Sequence, residues 1–341
     1  MKILVTGASG LVGSSIVKEL LRNNFEVYAL GGANSKIDKF GEVINFFKTD
    51  ITEYQNLVHI ANLKDVDVLI HSAGLAHQFG NRKEKDFWKV NVTGTENVAH
   101  LAVDLKVKHF ILISSVAVYG IKPADLENNN IGTYKFGITE EAECQPQGFY
   151  ARSKLESEKV AQNICDNNKI ALTILRLTTV IGEEDRGNVA RLIKAIDKRR
   201  FFWVGTGDNF KSLIYKGDAA KACLKILRKT AGTEIFNVTA EPSTMKEIVS
   251  EIENSLRIKA PKLKIPSKIL SKFFLINTKF LRLEKLNHIE GVLGKWISDD
   301  VFSGEKFKKI YGFKSETSIK EAIRRQVEHY KRYKKNTKTK R

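Results

Sequence analysis

The 341-residue chain is predicted to form a doubly wound α/β fold, a parallel sheet covered by helices on both faces, joined to a smaller C-terminal substrate-binding lobe. Three observations predict it. β-branched apolar runs alternate with amphipathic stretches through the first half; the first run ends in glycines at three-residue spacing; and the alternation becomes irregular after Gly182.

Residues 2–7, 26–30, 44–49, 66–74, 109–120 and 171–177 read as strands because each is a nearly continuous apolar run, the pattern of strands buried on both faces. Helices are expected after Gly10, from about Glu84 to Leu105, and from Tyr150 to about Asn167. Beyond Gly182, helical stretches near 188–198, 217–229 and 243–256 are separated by short strands at 201–205 and 234–238. The predicted organisation is a nucleotide-binding domain over 1–182 and a lobe over 183–330, with some chain exchanged between them. The lysine-rich 331–341 is expected to be a frayed basic tail.

With 42% hydrophobic and 28% charged residues, the chain can bury a real core. No run approaches the roughly 18 apolar residues of a membrane span. Met1 to Gly7 lead straight into the first strand without the features of a secretory leader, so a cytoplasmic protein is expected, with attachment at the inner face of the membrane as a further option. The formal charge of +18 attracts phosphates, whether on nucleotides, nucleic acid or lipid. Cys144, Cys165 and Cys223 and the seven histidines show no ligand or redox spacing, and no metal is expected. His71 and His77 flank a loop with no partner legible in the sequence.

Thr6-Gly7-Ala8-Ser9-Gly10-Leu11-Val12-Gly13 stands between the first strand and the first helix. Such glycines permit a tight turn and let the backbone approach a pyrophosphate at the positive end of the helix. Gly7, Ser9, Gly10, Leu11, Val12 and Gly13 are therefore assigned to a dinucleotide in a Rossmann-type domain. A carboxylate at the end of the second strand normally binds the adenosine ribose. Here the chain runs into Gly31-Gly32-Ala33-Asn34-Ser35-Lys36 without one. NAD is the expected cofactor; NADP is the alternative, with Ser35 and Lys36 placed to meet its extra phosphate. Asp50 and Ile51 suit the adenine edge, and Ala73 and Gly74 let the backbone pass close to the cofactor.

Tyr150 and Lys154 stand four residues apart on one predicted helix and share a face. A free phenol, with a pKa of about 10, is a poor base at neutral pH. The lysine ammonium and a positively charged nicotinamide are expected to stabilise the phenolate and bring Tyr150 into working range. Ser115, closing the fifth strand, can bond the same substrate oxygen.

TGASGLVG (6–13), HSAG (71–74), NVTGT (91–95), SSVAVYG (114–120), YARSK (150–154) and RLTTVIG (176–182) together resemble the extended short-chain dehydrogenase/reductase family, in its nucleotide-sugar epimerase, dehydratase and reductase branch. The resemblance implies that Tyr150 is the acid/base, that Lys154 tunes it and holds the nicotinamide ribose, and that Ser115 orients the substrate hydroxyl. It implies support of the cofactor region by Asn91 and substrate contacts from Ser115, Thr179, Asn188 and Lys211.

Two departures narrow the chemistry. The acidic pair that 4,6-dehydratases carry after the serine or threonine is Val116 and Ala117, which argues against dehydration. The common proline after the sixth-strand arginine is Leu177. Later segments, 186–196, 201–218 and 234–256, look similar to bacterial C4 epimerases of N-acetylhexosamines carried on polyprenyl diphosphate. Lys211 stands where UDP-sugar epimerases place arginine, which weakens the case for a UDP carrier.

The resemblance implies a C4 epimerase of a diphosphate-linked N-acetylhexosamine, working through a 4-keto intermediate in surface polysaccharide or lipopolysaccharide synthesis. The rivals are an NADPH-dependent reductase of a UDP-4-keto-hexosamine and a catalytically idle nucleotide-sensing protein. A homodimer is implied by analogy with the branch. Between Lys259 and Lys285, lysines alternate with Phe273, Phe274 and other apolar residues, so that segment is expected either to lie on anionic membrane or to pack as a lobe helix. No reading module for nucleic acid accompanies the basic charge, so specific nucleic-acid binding is not expected.

Overall fold

Strand β1 (Lys2–Thr6) sends Ile3 and Val5 to one face of the main sheet and Leu4 to the other, and all three are fully buried. This two-sided burial is why the sequence runs apolar without alternation. The computed structural model describes residues 1–35, 45–76, 83–120, 137–227, 232–261, 263–265 and 298–339.

The chain continues through α1 (Leu11–Arg22), β2 (Glu26–Gly31), β3 (Asn45–Lys48), β4 (Val66–His71), α2 (Glu84–Phe87), a π-helical turn (Trp88–Thr93), α3 (Gly94–Asp104), β5 (His109–Ser115), α4 (Gly148–Asn167) and β6 (Ala171–Leu177). Next come β7 (Thr179–Ile181), α5 (Asn188–Asp197), β8 (Trp203–Val204), β9 (Phe210–Lys211), β10 (Leu213–Tyr215), α6 (Lys216–Ile226) and β11 (Thr233–Val238). Then follow β12 (Ser243–Thr244), α7 (Met245–Leu256), β13 (Lys264–Ile265), α8 (Glu305–Tyr311) and α9 (Ile319–Thr339).

Seven parallel strands form the large sheet in the order β11-β6-β5-β4-β1-β2-β3. The order reverses between β1 and β4, which leaves a crevice at the carboxyl ends of those strands. On one face Ile16, Val17 and Leu20 of α1 pack with Ala219, Cys223 and Ile226 of α6. On the other, Val98, Leu101 and Ala102 of α3 pack with Ala161 and Cys165 of α4. A separate core of Ile193, Val249, Ile252, Ile323 and Val327 holds α5, α7 and α9 together as the lobe.

Three expected elements differ in form. The run 109–120 leaves the sheet at Ser115, whose Oγ accepts a 3.2 Å bond from the Ala117 nitrogen and starts a 3₁₀ turn over Val116–Tyr119. Val116, Val118 and Tyr119 stay apolar because they form a small core with Phe302, not because they are strand. The helix expected over 84–105 contains the π-helical turn at Trp88–Thr93, and strand 66–74 ends at His71.

Three elements that follow Gly182, namely β11, α6 and α8, pack in or on the large sheet. The basic tail is a correction, since α9 runs on to Thr339. Lysine is a good helix former, and two of these lysines have partners in the fold: Lys331 Nζ donates to the Ser255 carbonyl at 2.7 Å and Lys334 Nζ pairs with Asp197 at 2.6 Å. The expected amphipathic segment, with Phe273 and Phe274, falls mainly on residues 266–297, outside the described residues.

Candidate active site

The glycine turn is built by close approach. Gly7 has φ +66°, and a Cβ there would lie 2.5 Å from the Ala73 nitrogen. Gly13, in the first turn of α1, presses on the same backbone, since a Cβ there would lie 2.2 Å from the Gly7 oxygen. Among the described residues no side chain caps α1, so its first amides and the positive end of its dipole suit an anion. Gly10 is exposed at this mouth, with Ser9, Leu11 and Val12 half-buried around it. The glycine turn, the uncapped helix start and the close backbone of Ala73 fit a dinucleotide.

Ser35 closes this turn against the end of β2: its Oγ and that of Ser9 share a 2.7 Å hydrogen bond. Asp50 is exposed, with Oδ1 accepting from the Thr52 nitrogen at 2.9 Å, and Ile51 is buried with its carbonyl held by Asn97. Lys36 and His77 lie outside the described residues.

His71, without a legible partner in the sequence, organises the loop after β4. Thr95 donates its hydroxyl proton to the Asn91 carbonyl at 2.5 Å, so its oxygen accepts from His71 Nε2–H at 3.0 Å. His71 Nδ1 then accepts from the Thr6 hydroxyl at 2.6 Å, and Thr6 Oγ1 accepts from the Ala73 nitrogen at 3.3 Å. Each donor in this chain has an acceptor when the imidazole is neutral. Burial, reinforced by the Lys154 charge, pushes His71 down to about 3.

His109 at the start of β5 is also buried; it meets Thr173 at 2.8 Å through Nε2, whereas its Nδ1 has no hydrogen-bond partner among the described residues. Burial pushes it down to about 4.

Both histidines are depressed in the folded state, so the unfolded chain takes up their protons first as pH falls below about 6.5. Stability contributed by the neutral rings is present above that pH and is lost toward 4 and then 3, at roughly 3 kcal/mol for each ring by pH 4. Denaturant titrations at pH 7 and pH 4.5 should show this loss. A His109→Leu protein should lose less over the same interval, and parallel losses in the two proteins would refute the role of His109.

Asn91, supplied by the π-helical turn, is buried and ties three parts together. Its Oδ1 accepts from the Leu75 nitrogen at 2.7 Å, and its Nδ2 donates to the Leu75 carbonyl at 3.1 Å and to Ser153 Oγ at 2.9 Å. Gly74 passes directly over it: a Cβ there would lie 3.2 Å from Asn91 Oδ1 and 3.9 Å from Lys154 Nζ.

The three predicted reacting residues do converge. Tyr150 in the first turn of α4 faces Ser115 at the end of β5, near enough for the serine to act on the phenol. Lys154, one turn further, is buried, and its Nζ donates to the Ile113 carbonyl at 2.7 Å. The charge balance differs from the sequence expectation. Burial holds the Tyr150 phenol above its ordinary range, and the Ser115 hydroxyl opposes it. Burial pushes Lys154 down to about 8, with Glu158 acting the other way. The lysine is turned toward β5, so packing and not the ammonium dominates the phenol's environment in the protein alone.

Of the residues expected to meet substrate, Thr179 opens β7 half-buried and Asn188 opens α5 exposed. Lys211 is buried in β9, with Nζ donating to the Ser298 carbonyl at 2.6 Å.

Sequence reasoning missed the polar network behind the triad. Glu158 and Arg176 are buried and form a bidentate pair, with Nη2 to Oε2 at 2.7 Å and Nε to Oε1 at 3.1 Å. Ser114 Oγ also donates to Glu158. The Arg176 guanidinium lies 4.9 Å over the Tyr119 ring, whose hydroxyl donates to Asn237 Oδ1 at 2.8 Å. A carboxylate one turn beyond Lys154, and an arginine inside an otherwise apolar strand, were the available signals.

The fold and the Ser115–Tyr150–Lys154 arrangement define a protein of the short-chain dehydrogenase/reductase class. The chain belongs to the NAD dependent epimerase/dehydratase family, whose model matches residues 3–239, and NAD is its cofactor. It is 30% identical over 268 residues to the Escherichia coli N-acetyl-alpha-D-glucosaminyl-diphospho-ditrans,octacis-undecaprenol 4-epimerase, an alignment covering 77% of this chain and 75% of that enzyme. Among solved structures it is similar to the UDP-glucuronic acid 4-epimerase of Bacillus cereus, with a TM-score of 0.74 at 21% identity over 98% of this chain and 99% of that one. The UDP-glucose 4-epimerase of Thermotoga maritima gives the same TM-score of 0.74 at 18% identity, with 98% and 99% covered.

Proposed function

We propose that the protein is a C4 epimerase of an N-acetylhexosamine held through diphosphate, with polyprenol as the carrier. The observation that carries the reading is Tyr150 set against Ser115, with the buried Lys154 one turn along the same helix and the apolar Val116 and Ala117 directly after the serine. This arrangement can move a proton at one hydroxyl-bearing carbon, yet carries no adjacent carboxylates to expel water.

Bound NAD supplies the hydride acceptor and donor. Tyr150 takes the proton from the C4 hydroxyl and returns it to the same oxygen after the 4-keto sugar has presented its other face. Ser115 holds that oxygen throughout, and Lys154 keeps a positive charge beneath the phenol. Thr179, Asn188 and Lys211 line the sugar and diphosphate side in this reading. The similarity to the Escherichia coli lipid-linked epimerase supports the carrier. A charge of +18, with exposed cations along the end of α9, supports contact with an anionic membrane that bears such a substrate.

The second reading, an NADPH-dependent 4-keto-hexosamine reductase, is favoured by one observation: β2 ends at Gly31, and among the described residues that follow it through Ser35 there is no carboxylate for a ribose hydroxyl. One experiment separates the readings. Purified protein is given NAD with UDP-N-acetylglucosamine, and separately with polyprenyl-diphosphate N-acetylglucosamine in phosphatidylglycerol vesicles; the released sugars are then analysed. The C4 epimer from the vesicles alone is the expected result. An epimer from UDP-N-acetylglucosamine alone would replace the carrier, and stoichiometric NADPH consumption with a 4-keto sugar would favour the reductase. No change with any sugar would leave a nucleotide-sensing role.

A further inference from the structure

Tyr150, Lys154 and Glu158 stand at successive turns of one face of α4, but only the first two belong to the predicted reacting group. Glu158 is 3% exposed and Arg176 is 4% exposed, so this ion pair is removed from water almost completely. Such a pair is costly unless its geometry is good and its remaining lone pairs are satisfied. Here both conditions hold, because Arg176 engages both carboxylate oxygens and Ser114 supplies a further donor. The site does not need this pair to fill space, since apolar residues of similar volume would do that at less cost.

We propose that Glu158 is a positioning residue for the reaction: it keeps Lys154 an ammonium beneath Tyr150, with Arg176 and Ser114 fixing the carboxylate in place. The proposal rests on the reading of Ser115, Tyr150 and Lys154 as the reacting centre. Lys154 otherwise faces groups that oppose or ignore its charge. Its Nζ donates to the Ile113 carbonyl on β5, the neutral ring of His71 on β4 lies within reach of its field, and the Asn91 side chain of the π-helical turn shares with it the space over Gly74. Around Glu158 stand Arg176 on β6, the Ser114 hydroxyl and the Cys144 thiol. Glu158 is the carboxylate whose charge favours the protonated lysine.

The same carboxylate also joins Ser114, the neighbour of Ser115, to β6, and Arg176 carries the link to Tyr119 and Asn237. A change at Glu158 therefore reaches both the lysine and the strand end that presents Ser115.

The test follows the Lys154 Cε resonance by ¹³C NMR through a pH titration of the protein without NAD, with Lys154→Met to assign the signal. Against a wild-type midpoint of about 8, Glu158→Gln is expected to lower the midpoint by about one unit, so that tenfold less ammonium survives on the alkaline side. Because the Gln variant leaves Arg176 buried without a counterion, a Glu158→Met, Arg176→Met double variant keeps the site packed and should shift the midpoint in the same direction. An unshifted midpoint in a folded variant would overturn the proposal and leave the pair a purely structural brace. In turnover, the alkaline limb of the pH profile should move down by the same unit. If no sugar is turned over by the wild type, the functional reading fails, while the titration still decides the role of Glu158.

Discussion

A Tyr150→Phe protein is expected to lose about 10²- to 10⁴-fold in turnover while keeping its fold and its NAD. The substitution removes one oxygen from a half-buried ring and leaves the ring's packing in α4 intact. Ser115 Oγ loses the phenol but still accepts from the Ala117 nitrogen, so the stability cost should stay within about 1.5 kcal/mol. Lys154 keeps its bond to the Ile113 carbonyl, and the glycine turn is untouched. Turnover, thermal midpoint and NAD affinity measured on one preparation would check this. Activity within about threefold of wild type would remove Tyr150 from the reaction, whatever the substrate proves to be.

The phenol's raised range bears on how that turnover is achieved. Burial favours the neutral tyrosine, and in the protein alone Ser115 is what opposes it. Tyr150 is therefore poised as a proton donor until positive charge approaches from the nicotinamide side. An acid/base that must both take and return a proton gains from this, because neither form is locked in.

The parts of the site that were legible in the sequence are those written in local spacing. Tyr150 and Lys154 share a helix turn, and the glycines sit between a buried strand and a helix, so period and order alone place them. Ser115 was legible only as the polar end of an apolar run, and the run's continuation to Gly120 hid the change from strand to 3₁₀ turn. Burial of Val116 and Val118 against Phe302 produces the same composition as a strand does. The roles of His71 and Glu158 were not legible because each depends on partners from distant elements: Thr6 and Thr95 for one, Ser114 and Arg176 for the other. The tail misled in the opposite sense. Its composition resembles a solvated segment, but Asp197 and the Ser255 carbonyl give its lysines tertiary partners.

Gly13→Ala is expected to abolish NAD retention and to lower the thermal midpoint, by an amount set by how tightly the turn is closed. The new Cβ would stand 2.2 Å from the Gly7 oxygen and 2.7 Å from the Gly7 carbonyl carbon, both backbone atoms that no rotamer change can move. Gly7 cannot retreat, because its own Cα side already faces the Ala73 nitrogen with no room for a methyl group. The start of α1 must therefore move outward, pulling Ile16 and Val17 from the core and moving the helix amides from their place at the turn. Overpacking against side chains costs about 1–3 kcal/mol, and a clash between fixed backbones belongs at or above the top of that range. A drop of roughly 5 °C or more should follow. Two other glycines grade the argument: at Gly10 a Cβ would meet only the Gly7 oxygen, at 3.2 Å, and at Gly32 it would meet nothing within 4 Å. Gly10→Ala should cost little stability while obstructing the exposed mouth, and Gly32→Ala should be silent in both measurements. Equal thermal midpoints for Gly13→Ala and Gly32→Ala would contradict the interlocked turn on which the cofactor site depends.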